Sequence, residues 1–319
     1  MDFGMPTLIE NKNLEENVAL CKELDLKFIE LNMNLPEYQI EKLEEVSYFK
    51  EIAQRAGIYF TIHLDENLNI ADFNQSVANA YMETVKRTIG VAKKLGVPVL
   101  NMHMNHGVHF TLPDRKVQLF EQYFEEYIGA FQKFRNLCEE EIGDSDIKIC
   151  IENTDGFRSY EESAIHLLLQ SEVFALTWDI GHSNGSGNID EPFILQNENR
   201  LKHFHIHDSL GKKDHMTLGT GEIDLEQRLN IAKKYHCRCV VETKTIEALR
   251  KSVLWLRENP VFDTSIEIQN DIAECYKRGL TQCGAVLFDK NNKLYKISDI
   301  GQEPELIFDA STLACNKDN

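Results

Sequence analysis

Eight short apolar runs alternate with helix-like segments along this chain, and most of the runs end in a residue that can bind a metal. They deliver His63 (IYFTIHL), His103 (VLNMHM), Glu152 (IKICIEN), Asp179 and His182 (FALTWDIGH), His205 and His207 (LKHFHIHD) and Glu242 (CRCVVET). Polar, often glycine-bearing sequence follows each one. A lone charge at the end of a buried strand is very costly, so such residues need partners. A series of them separated by helices predicts parallel strands converging on one centre.

Parallel neighbours need a helical crossover, which the alternation supplies. An open doubly wound sheet also fits the alternation, but only a closed ring brings this many strand ends to one point. Eight units in roughly 250 residues match a closed barrel. The expected fold class is therefore α/β: a (β/α)8 TIM barrel over residues 1–258 with a small C-terminal α+β extension over 259–319. Within the extension, TSIEIQNDIAECYKRG reads as a helix, GAVLF and KLYKI around DKNN as a hairpin, and ELIF as a third strand. Its expected role is packing against the barrel or another subunit, compatible with a homo-oligomer. In the barrel, Asn13 is placed to cap a helix, and Gly57 and Gly96 to end two others. A long helix is expected after Pro113 and a weaker one around EPFILQNEN.

Lys and Arg total 34 against 52 Asp and Glu, a net charge of −18. That average field repels a phosphate backbone, so nucleic acid is not the expected partner. No apolar run reaches the length of about 18 residues that suggests a membrane-spanning helix. The opening MDFGMPTLIENKN lacks a basic-then-apolar signal pattern, so a cytoplasmic location is expected. The eight Cys form no CxxC pair and read as reduced thiols, with Cys150 a small buried hydrophobe. Thiolate ligation by Cys237 and Cys239 is the lesser reading.

Glu152 and Glu242 each close an apolar run. Two carboxylates facing across a metal suit proton transfer at a carbon beside a carbonyl. Plainer roles exist for each: a salt bridge across the barrel top for Glu152, pairing with Lys244 for Glu242, and a helix cap for Asp179. His203, His205 and His207 alternate and so share one face. Three inward imidazoles are too polar for an ordinary core, so at least one is expected to be a ligand, with Asp208 behind it. His63 and His103 occupy equivalent positions and divide evenly between ligands and hydrogen-bonded core residues. His215, in KKDHMTLGTGEID, is placed to bind substrate or metal. His106 and His109 are weaker candidates, and His166 and His236 read as structural.

Taken in order and spacing, HLDENLNIADFN, IENTDG, WDIGHSNGSG, HIHDS with HMTLGTGEID, and VVETK resemble the xylose isomerase-like TIM barrels. That superfamily holds sugar and sugar-phosphate isomerases and epimerases, and zinc-dependent apurinic endonucleases. The resemblance covers about residues 1–258. It implies one divalent metal held by Glu152, Asp179, His205 and Glu242, with Glu152 and Glu242 also exchanging the substrate proton. It prefers His205 over His207 as the ligand, from the spacing to the following Asp. It sets His182 and His215 against substrate hydroxyls, with His63, His103 and His207 as further substrate contacts. The endonuclease pattern implies a second site built from His63, His103 and His182. This chain departs from that pattern at Lys213, where the endonucleases carry an Asp. The implied function is a metal-dependent isomerase or epimerase of a small sugar, sugar phosphate or polyol; the alternative is a zinc phosphodiesterase or apurinic endonuclease. Oxygen-rich ligation with one His suits Mn²⁺ or Mg²⁺, with Co²⁺ a further fit, while added His ligands favour Zn²⁺.

Overall fold

The computed structural model describes residues 1–259, 285–288, 293–297 and 305–309. The chain divides into two compact units, Met1–Trp255 and Leu256–Asn319. The first is a closed parallel barrel of eight strands: β1 (Asp2–Pro6), β2 (Phe28–Asn32), β3 (Tyr59–His63), β4 (Val99–His103), β5 (Lys148–Glu152), β6 (Phe174–Asp179), β7 (Leu201–Ile206) and β8 (Arg238–Val241). Each strand pairs with its sequence neighbours, and β8 closes on β1.

Alternation along each strand explains the two faces. Ile29, Leu31, Ile62, Leu100, Ile149, Leu176, Phe204 and Val241 are fully buried, and as the alternates of the inward polar residues they face the helical ring. The inward set is unusually polar: Glu30, Thr61, Asn101, Thr177 and His203 are also buried and hydrogen-bond one another across the interior. Strand register then aligns the ends. His103 pairs with Glu152, Glu152 with Thr177, and Asp179 with His205. This puts the chemistry-bearing side chains at the C-terminal mouth, where barrel active sites sit.

The helix punctuation follows the sequence. Asn13 caps Leu14–Glu23 through its side chain. Gly57 and Gly96 end their helices at φ 68° and 71°, a left-handed conformation that glycine adopts freely. Two segments differ from expectation. An antiparallel hairpin, His109–Thr111 with Lys116–Gln118, holds Pro113 in its turn, and the helix starts only at Leu119 and restarts at Phe124. The weak helix six is two short helices, Ile180–Gly185 and Glu191–Gln196. Among the described residues no helix is long and apolar enough to cross a membrane. Cys21, Cys138, Cys150, Cys237 and Cys239 are buried and free. Burial pushes the thiols of Cys150 and Cys237 up to about 12, which disfavours thiolate ligands.

In the second unit, Ala285–Phe288, Lys293–Ile297 and Glu305–Asp309 form a three-stranded antiparallel sheet. The helix expected over 264–279 lies outside the described residues.

Candidate metal and substrate site

Glu152, Asp179, His205 and Glu242 converge at the barrel mouth, each offering a ligand atom within 4.8 Å of the others. They come from β5, β6 and β7 and from the residue just after β8. His205 Nδ1 stands 3.1 Å from Glu152 Oε1, 3.2 Å from Glu242 Oε2 and 3.8 Å from Asp179 Oδ2. Asp179 also caps the helix Ile180–Gly185, accepting from the His182 N–H at 2.7 Å. The capping role and the cluster role therefore coexist. Asn153 fixes the neighbouring strand ends, accepting from the Asp179 N–H and donating to the Asp179 carbonyl.

A second layer surrounds Glu152. Its Oε1 faces the four-residue cluster, while His63 Nε2 at 3.4 Å and His103 Nε2 at 3.1 Å approach Oε2. Asn101 donates to that same Oε2 and accepts from Thr177. His182 Nδ1 lies 3.4 Å from Asp179 Oδ2.

His207 serves differently from the expectation that it meets substrate. It is fully buried: Nε2 engages Asp179 at 3.0 Å, and Nδ1 accepts the His215 N–H at 2.8 Å. Neither nitrogen is free for a substrate. Its ring lies directly over Gly181, where any Cβ would collide with it. His215 itself adopts φ 49°, a conformation costly for a side-chain-bearing residue. Its Nδ1 reaches the Glu242 carbonyl at 3.1 Å. Asp208 does not back a histidine as expected. Its carboxylate instead accepts from the backbone of Ser209, Gly221 and Ile223 and ties down the segment that follows the strand Lys213–Met216, which carries His215.

Beside the cluster opens a cleft of about 580 Å³ lined by Thr154, Asp155, His182, Gly185, Ser186, Lys212 and Asp214. Of the remaining histidines, His106 is bound to Asp155 and Glu161 and belongs to a rim network, and His166 packs on Phe193.

Glu30 has no counterpart among the expected site residues. It accepts from both His203 and His205 at 2.8 Å beneath the cluster. Its signal in the sequence is a carboxylate inside the apolar strand KFIELN, a charge that burial obliges to find a partner.

The charges decide whether a cation fits. Four carboxylates, Glu30, Glu152, Asp179 and Glu242, share one buried neighbourhood. Burial opposes charge on Glu152 and Glu242, yet His205 beside each overrides it and holds both well below the usual carboxylate range. Burial likewise opposes an imidazolium at His205 and His63, but the carboxylates prevail. His205 is raised well above its ordinary value and His63 is lifted to about 9. Protons on imidazoles thus supply positive charge that a dication would supply equally well. The buried atoms His205 Nδ1, Glu152 Oε1 and Glu242 Oε2 also lack hydrogen-bond partners. Buried polar atoms are rarely left unmatched, and these three face one another. The donor set fits a divalent metal.

A closed (β/α)8 barrel with a polar centre at its strand C-termini is the class that fold and site define. Within that class, the chain belongs to the xylose isomerase-like TIM barrel family, which matches residues 18–259. An uncharacterized protein of Methanocaldococcus jannaschii is 28% identical over 278 residues, 81% of this chain and 89% of its own length. Among solved structures, a D-tagatose 3-epimerase-like protein aligns with a TM-score of 0.67 at 24% identity, over 86% of this chain and 100% of that one. A 3-keto-D-glucoside 4-epimerase from E. coli aligns at 0.64 and 14%, over 81% and 100%. An IolI protein with a bound zinc atom aligns at 0.62 and 16%, over 79% and 95%. At these identities the structural likeness speaks to the fold.

Proposed function

We propose that this protein is a divalent-metal-dependent isomerase or epimerase acting on a small sugar, sugar phosphate or polyol. The carrying observation is the convergence of Glu152, Asp179, His205 and Glu242, with the unpartnered Glu152 Oε1, His205 Nδ1 and Glu242 Oε2 facing one another. The names of the structural relatives, which include sugar epimerases, point the same way. A metal bound by these four would polarise a substrate carbonyl and acidify the adjoining C–H.

The chain's own groups handle the proton. Glu152 and Glu242 are both held as carboxylates, so either can accept a proton from carbon, and the other can deliver one to the opposite face once it has taken that proton up from solvent. Lys244 holds Glu242 Oε1 at 2.8 Å, leaving Oε2 turned to the cluster. Asn101 holds the opposite oxygen of Glu152 and leaves Oε1 facing inward. His182 on the cleft wall and His215 beside Glu242 offer imidazole nitrogens to substrate hydroxyls. The test is solvent deuterium exchange into a panel of ketoses and their phosphates, with Mn²⁺ or Co²⁺ added. Label at the carbon beside the carbonyl, lost in both Glu152→Gln and Glu242→Gln, is the expected result. No exchange across the panel counts against the reading.

One observation favours a zinc phosphodiesterase as the second reading: His63 and His103 both approach Glu152 Oε2, and His103 Nε2 has no hydrogen-bond partner. That arrangement suits a second metal sharing Glu152. The −18 charge opposes a nucleic-acid substrate. Incision of an abasic duplex by zinc-loaded protein would support this reading over the first.

A further inference from the structure

We infer that Glu30 is a positioning residue, a strut that reaches from β2 across the barrel interior and aims His205 at the metal. The inference rests on the metal-site reading above. An imidazole has two distinct nitrogens, and which one faces a metal is set by what holds the other. His205 Nε2 lies 2.8 Å from Glu30 Oε1, while Nδ1 faces Glu152 and Glu242. Donation from Nε2 to this acceptor keeps the proton there and turns the Nδ1 lone pair toward the cluster.

Glu30 cannot swing away. Its second oxygen accepts from His203 Nε2 at 2.8 Å and from the Thr61 hydroxyl at 2.9 Å. Three side chains from two other strands, β3 and β7, therefore lock one carboxylate, which is itself only 2% exposed. His203 makes sense in the same way. It lies one inward layer below His205, out of reach of the mouth, and its bond to Glu30 completes the lock. A carboxylate in the middle of a buried strand is expensive, and here its acceptor atoms are taken up by the ligand histidine and by parts that immobilise it.

The experiment is Co²⁺ titration of the full chain, reading affinity and the visible absorption of the bound ion, with melting of the metal-free protein as a folding control. Glu30→Gln keeps shape but loses the charge and one acceptor. It should weaken Co²⁺ binding by about 10- to 100-fold, the usual cost of removing such a partner, and alter the absorption spectrum while the chain stays folded. Thr61→Val, which removes only one bond to Glu30, should give a smaller change in the same direction, and it guards against a Glu30 variant that fails to fold. Unchanged affinity and spectrum in a folded Glu30→Gln would overturn the inference while leaving the metal site standing. A parent chain that binds no Co²⁺ would overturn the metal-site reading and this inference with it.

Discussion

The two halves of the barrel do different work. Strands β5, β6 and β7 and the end of β8 present Glu152, Asp179, His205 and Glu242 to one another. Strands β2, β3 and β4 present residues that hold two of those four: Glu30 to His205, and Asn101, His63 and His103 to Glu152. On the proposed reading, one half carries all four metal-ligand atoms, while the other fixes the direction of His205 and Glu152. The difference teaches that a buried charged cluster needs as much supporting structure as it has ligands, because each carboxylate oxygen turned inward requires its sister oxygen to be satisfied elsewhere.

The division is broken most severely at Glu152, the residue both halves touch. Glu152→Gln should cost more than about 100-fold in metal affinity, above the loss for a supporting partner, measured by calorimetric titration with Mn²⁺. A smaller loss than that of His63→Gln would reverse the assignment of roles. Asn101→Leu, on the supporting side, leaves Glu152 Oε2 and the Thr177 hydroxyl short of a partner. Stability should fall by about 1–3 kcal/mol, read by urea denaturation, with weaker metal binding. Gly181→Ala sharpens the comparison from the ligand side. The new methyl meets the His207 ring that holds Asp179, and the melting point should drop in line with about 1–3 kcal/mol of overpacking. The smallest effect is expected at Lys244, whose side chain is 57% exposed. Lys244→Met should change stability by less than about 1 kcal/mol while slowing turnover, since Glu242 loses the bond that orients it.

Much of this was legible in the sequence, and for a definite reason. The barrel could be read because strands and helices alternate with clear punctuation, such as Asn13 at a helix start and Gly57 at a helix end. Strand-end residues were legible because a charge that closes a buried apolar run must meet a partner there. Glu30 and Asn101 escaped because they sit mid-strand, and only a closed barrel makes mid-strand positions meet across an interior. His207 was legible as inward-facing but not in its role, since its partners are a backbone N–H in a short hairpin strand and a capping carboxylate. The hairpin before Leu119 was hidden because its exposed residues give no apolar period.

The most direct measurement is metal content per chain, by elemental analysis after saturation with Mn²⁺ or Co²⁺ and removal of excess. The parent and His63→Gln are expected to retain one equivalent, and Glu152→Gln and Glu242→Gln none. A parent chain that retains no metal after saturation would contradict a metal centre at the ends of β5–β8.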